Sequence, residues 1–113
     1  MRVSGADDAN SRPGVGLTYY DFRNLAPDNT TTLPTDIWFK SAPRGGNLAT
    51  AAETHVTGSF NFLAAPNAGG SFLGDYEGLA ANGTSFVGVD DITNCTTPSC
   101  GSNPTDTYAF GLP

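Results

Sequence analysis

The stretch Val15-Gly16-Leu17-Thr18-Tyr19-Tyr20-Asp21-Phe22 decides the fold class. It is rich in β-branched and aromatic residues, which suit a pleated backbone. Val15, Leu17 and Tyr19 fall on one face and Tyr20 and Phe22 on the other. A strand wetted on one side alternates more cleanly, so this one is expected to be covered on both faces. Asp36-Ile37-Trp38-Phe39-Lys40-Ser41 repeats the pattern after a loop with Pro27, Pro34 and three consecutive threonines.

Outward from these two strands the same grammar continues. Met1 to Gly14 is polar and reads as an irregular lead-in. Pro43-Arg44-Gly45-Gly46-Asn47 is a turn, and Leu48 to Glu53 is too short for a self-supporting helix. Thr54-His55-Val56-Thr57 reads as a short edge strand. Ser71 to Tyr76 reads as a strand running into a turn at Gly78. Leu79-Ala80-Ala81 enters a hairpin at Asn82-Gly83, the strongest two-residue hairpin signal, and Ser85 to Val89 returns. Thr105 to Phe110 is a final strand. Six or seven short strands with no helix long enough for a βαβ unit predict a single all-β domain over residues 1–113.

Composition agrees. Gly, Pro, Ser, Thr and Asn make up about half of the 113 residues, a mixture that helix interiors do not tolerate. Five Lys and Arg stand against eleven Asp and Glu, for a net charge of -6. That balance excludes nucleic acid, whose phosphates need clustered Lys and Arg. No apolar run approaches the ~20 residues that span a bilayer. The first residues, Met1-Arg2-Val3-Ser4-Gly5-Ala6, have no apolar segment of the signal-peptide kind. Cys95 and Cys100 are separated by four residues that include Pro98, a spacer able to bend into a disulfide loop. Free thiols are the alternative. A metal site would lack partners, since His55 is the only histidine. Three Asn-x-Thr triplets at Asn29, Asn82 and Asn94 are mostly chance in so Thr-rich a chain and matter only in a secreted eukaryotic protein; with a disulfide, the expected location is extracellular.

Three segments carry a resemblance. Thr18-Tyr19-Tyr20-Asp21-Phe22-Arg23-Asn24, then Thr35-Asp36-Ile37-Trp38-Phe39, then Phe72-Leu73-Gly74-Asp75-Tyr76-Glu77-Gly78-Leu79 resemble the C-terminal part of bacterial sialidase-like proteins, the BNR or Asp-box β-propellers. The resemblance implies four-stranded blades around an axis, and a chain of this length supplies about two. The implied architecture is thus a propeller segment, completed by further copies or by a longer chain; the alternative is an open β-sandwich. Where an Asp-box would stand, Ser41-Ala42-Pro43-Arg44-Gly45-Gly46-Asn47-Leu48 keeps the Ser and a Gly but has neither its Asp nor its Trp.

The resemblance also implies a chemistry: three arginines on a substrate carboxylate, a Tyr nucleophile activated by a Glu, and an Asp acid/base. The chain holds only Arg2, Arg12, Arg23 and Arg44, and only Arg23 stands in a family-like context. Tyr76-Glu77 matches the nucleophile and its base in type, although neighbours on a strand point to opposite faces. Asp75 and Glu77 would share a face some 6.6–6.8 Å apart, within the span two glycosidase carboxylates need. If the chain is an enzyme it is a glycoside hydrolase with Asp75, Tyr76 and Glu77 as catalytic candidates. Tyr19, Asp21, Arg23 and Trp38 are the candidate sugar-binding groups, a ring to stack on a pyranose beside carboxylates that accept its hydroxyl protons. Their structural alternative is core aromatics with acidic residues at strand ends. His55 has no nucleophile beside it, Asp90-Asp91 lacks the oxygen spacing of an EF-hand, and Gly69-Gly70-Ser71 lacks a phosphate-binding Lys. No metal or cofactor is expected. The expected function is therefore an extracellular carbohydrate-associated segment, not catalytic by itself. A self-associating structural or sugar-binding subunit is the alternative.

Overall fold

The computed structural model describes residues 1–7, 13–74, 76–95 and 104–113, with the backbone alone for 3–7 and 13. The chain is all-β, with two antiparallel sheets and no α-helix among the described residues. The first sheet is a meander of β1 (Arg2–Asp7), β2 (Pro13–Asp21), β3 (Pro34–Ala42) and β4 (Glu53–Asn61). A 3-10 turn, Phe62–Ala64, follows. The second sheet is β5 (Gly78–Asn82), β6 (Ser85–Thr93) and β7 (Thr105–Leu112).

Register sorts the side chains. Gly16, Thr18 and Tyr20 on β2 oppose Ser41, Phe39 and Ile37 on β3 and share the face turned toward the second sheet. Phe39 meets Phe86 there at a ring distance of 5.4 Å, and Leu112 completes this small core. Gly16 makes the close approach work: a Cβ on it would sit 2.6 Å from Phe86 Cε1. Tyr20 ties the sheets with a polar bond, its hydroxyl donating to the Asp91 carbonyl at 2.9 Å.

Several expectations need correcting. Residues 2–7 are not an irregular lead-in; they pair with β2 from Arg2↔Thr18 to Asp7↔Pro13. Without them β2 would present a row of unpaired amides, and ladder bonding overrides their weak strand propensity. The described residues of the segment expected as a strand from Ser71 to Tyr76 form none. Gly69, Gly70 and Gly74 all have positive φ, and the described residues show only an isolated Asn67↔Ser71 bridge. The Asn-Gly hairpin is shifted by one residue: Asn82 pairs with Ser85, so Gly83 and Thr84 form the turn, with Gly83 at φ 62°. The edge strand expected at Thr54–Thr57 grows to nine residues. Finally, β2 and β3 are covered by a sheet on one face only. Val15, Leu17, Tyr19, Trp38 and Lys40 lie on the opposite face, where each is half-buried or exposed.

Cys95 is disulfide-bonded and no cysteine is free among the described residues. Its expected partner Cys100 lies outside them. At the base of this loop Thr93 pairs with Thr105, and Asn94 N–H donates to the Pro104 carbonyl at 2.9 Å.

Candidate functional site

The uncovered face of the first sheet carries the polar chemistry. Odd positions of β2 and even positions of β3 alternate onto it, so Tyr19 lies opposite Trp38 and Asp21 opposite Asp36. The next strand brings His55 beside Trp38, with ring centroids 4.8 Å apart. Just past the end of β2 the chain turns, and Arg23 folds back over Trp38 with its guanidinium carbon 3.9 Å from the ring centroid. Such a stacked cation adds about 0.5–1 kcal/mol at an exposed site.

Arg23 is also the electrostatic hub. Its Nε donates to Asp21, its Nη1 to Glu53 Oε2 at 2.8 Å and its Nη2 to Glu53 Oε1 at 3.1 Å, and Nη2 is ion-paired with Asp21 as well. Tyr19 donates its hydroxyl to Glu53 too. The Arg23 bonds, followed by that of Tyr19, hold the Glu53 carboxyl down at about 2. Burial, then the bond to Glu53, push the Tyr19 phenol above its ordinary value.

Asp36 is the anchor at the other end. It is 2% exposed and receives Asn24 Nδ2 at 2.8 Å, Ser59 Oγ at 2.8 Å and His55 Nε2 at 2.8 Å. An ionised carboxylate only accepts, so the His55 proton sits on Nε2. Burial by itself would raise this carboxyl; the bonds from Ser59, Asn24 and His55 outweigh it and hold it below the usual range. Gly58 admits the carboxylate. Its φ is +140°, and a Cβ there would come within 2.7 Å of Asp36 Cγ.

The structure thus gathers Tyr19, Asp21, Arg23 and Trp38 into one cluster, and adds Asn24, Asp36, Glu53, His55 and Ser59. Tyr76 and Glu77 lie apart from it, in the segment that leads into β5. Tyr76 is 75% exposed, while Glu77 pairs with the Met1 amino group at 3.1 Å and with Arg2. Asp75 lies outside the described residues.

The chemistry follows from how these groups are already engaged. Ser59 donates to Asp36 and not to His55, so no serine–histidine relay exists here. A raised Tyr19 phenol stays protonated near neutral pH and is a poor nucleophile. What the face does offer is hydrogen-bonding capacity beside a recess of about 270 Å³, walled by Leu17, Tyr19, Leu48 and Ala49 and bordered by Lys40. A larger pocket of about 420 Å³ lies where β4 and β6 end, lined by Pro34, Phe60, Asn61 and Thr93, and touches the cluster through Ser59. Comparison with family models, curated proteins and solved structures found no match.

Proposed function

We propose that the chain is an extracellular carbohydrate-binding segment of sialidase-like descent, without catalysis of its own. The observation that carries the reading is the juxtaposition, on one open sheet face, of the Tyr19 ring, a shallow apolar recess and the Asp21 and Glu53 carboxylates. A pyranose needs those parts: an apolar wall for its C–H face and acceptors for its hydroxyls. The segment's descent rests on the residue resemblance, and the two meander sheets are read as consecutive blades. The absence of catalysis rests on Arg23, whose donors are spent on Asp21 and Glu53. A substrate carboxylate would have to displace both. The test is a paired assay of the purified chain against glycans and a sialyl reporter substrate. Saturable sugar binding with no turnover is expected, and turnover abolished by Asp75→Asn or Glu77→Gln would overturn the non-catalytic reading.

One observation favours self-association alongside. β7 is an eight-residue edge strand without Lys or Pro, largely exposed, and paired only on its β6 side among the described residues. The chain is also drawn out, with a radius of gyration of 15.6 Å where about 13 Å is usual for its length. Open edges of this kind accept a further strand. Sedimentation equilibrium is expected to show a closed oligomer or a series of them; a strict monomer at high concentration would remove this reading.

A further inference from the structure

We propose that two copies of the chain join β7 to β7, antiparallel about a two-fold axis at Tyr108, and that the resulting dimer is closed. The inference rests on the self-association reading above and adds the edge, the register and the stoichiometry. Two sheets have four outer strands, and among the described residues one regular edge is left open. β1 and β5 lie against each other. β4 is interrupted by bulges against β3 and by Gly58 at φ +140°, devices that blunt an edge. β7 pairs without a break to β6 from Thr105 to Leu112, and no described residue pairs with its other side. Its one charged side chain is engaged within the sheet. Asp106 accepts from Asn94 Nδ2 at 2.8 Å, and its neighbour Thr107 donates its hydroxyl to Asp91.

Backbone parity fixes the register. Asn82 and Ser85 close a two-residue turn and so exchange hydrogen bonds, which aims Ser85, Val87 and Val89 at β5 and the even residues of β6 at β7. Asn94 N–H donates to the Pro104 carbonyl one rung beyond Thr93↔Thr105, which gives the same parity. Thr105, Thr107, Ala109 and Gly111 therefore aim their N–H and C=O groups away from β6, at the open edge. An antiparallel two-fold partner pairs these odd positions with one another. One register uses all four: Thr105 with the partner's Gly111, Thr107 with the partner's Ala109, and Tyr108 against its own equivalent on the axis. Moving the axis to Thr107 or Ala109 leaves Gly111 or Thr105 without a partner inside the strand. In the chosen register Asp106 faces a phenylalanine and not a second Asp, so no like charges are opposed. Tyr108, 40% exposed, and Phe110 share the side of β7 that carries Leu112 into the core, so pairing continues that apolar row across the axis. An isologous pair consumes the open edge and stops growth.

Sedimentation equilibrium of the full chain is expected to fit a monomer–dimer equilibrium. Ala109→Pro deletes an outward N–H and leaves the β6 ladder intact, the one setting in which an edge strand tolerates proline. The loss occurs twice in a two-fold pair, and the dimer is expected to weaken at least about tenfold. Should that variant not fold, cysteine pairing reads the same interface. Tyr108→Cys is expected to give a disulfide-linked dimer on mild oxidation, since a non-hydrogen-bonded antiparallel pair brings its Cα atoms to about 4.5 Å. Asp106→Cys would lie about 13 Å from its equivalent and is expected not to link. A strict monomer at high concentration overturns both this interface and self-association. A dimer unmoved by a folded Ala109→Pro variant, or one that Tyr108→Cys fails to link, overturns the β7 interface and leaves self-association standing. Equal linking of the two cysteine variants overturns the register, and growth beyond the dimer overturns closure.

Discussion

Asp90 gives the sharpest test of the energetics. It is 2% exposed on β6, and its Oδ2 is buried without a hydrogen-bond partner. Burial first, and the nearby Glu77 second, push its carboxyl up to about 6. In the unfolded chain the same group titrates near 3.8. Between about pH 4 and 6 the folded state therefore binds more protons than the unfolded state. Stability contributed by this residue is greatest below that window and falls as pH rises through it. Two units at 1.36 kcal/mol each set a cost of about 3 kcal/mol at pH 7. Asp90→Asn removes the charge but buries an amide that needs partners, costing about 1–3 kcal/mol at every pH. The informative quantity is the change in stability between pH 7 and pH 5, where the amide cost cancels. Urea unfolding followed through Trp38 is expected to show the parent gaining about 1–2 kcal/mol on going to pH 5, relative to Asp90→Asn. All other titrating groups are common to both proteins and drop out of the difference. Identical pH dependence in the two would refute the argument.

Three further outcomes follow from the geometry. Glu53 titrates at about 2 in the fold against 4.5 without it, so its stabilisation is present above pH 4.5 and lost as pH falls toward 2; Glu53→Gln is expected to flatten the acid limb of a circular-dichroism titration over that range, and an unchanged limb would count against the Arg23–Glu53 pair. Gly16→Ala places a methyl 2.6 Å from the Phe86 ring and is expected to destabilise by about 1–3 kcal/mol in urea unfolding, with a loss below about 0.5 kcal/mol showing that the sheets do not meet there. Unreduced protein is expected to weigh two hydrogens less than reduced protein and to resist alkylation at Cys95 and Cys100, whereas labelling of both would rule out their pairing.

How much of this was legible depends on the range of the interaction concerned. Strand identity is local, and the aromatic and β-branched content of β2, β3 and β6 was enough to find them. Position two along a strand is also local, which is why Tyr19 with Asp21 and Asp36 with Trp38 could be placed on common faces. β1 was missed because its residues have weak strand propensity and acquire their conformation from the open edge of β2. The stretch from Ser71 to Tyr76 misled in the opposite way: its aromatic content suits a strand, but the glycines at 69, 70 and 74 adopt positive φ and leave the sheet.

The parts of the cluster that stayed hidden all come from pairings between strands. Glu53 lies 30 positions from Arg23, and Ser59 lies 23 from Asp36. No spacing rule links such residues, because the bulges between β3 and β4 shift the register that decides who faces whom. Arg23 itself was identifiable as a candidate from its family-like context, yet its engagement was not. That engagement carries the functional consequence. A lone arginine beside an aromatic ring would be free to grip an anion, whereas Arg23 is already held by Asp21 and Glu53. Asp21 supplies its part of that hold locally, two residues away, while the part from Glu53 depends on how β4 sits against β3.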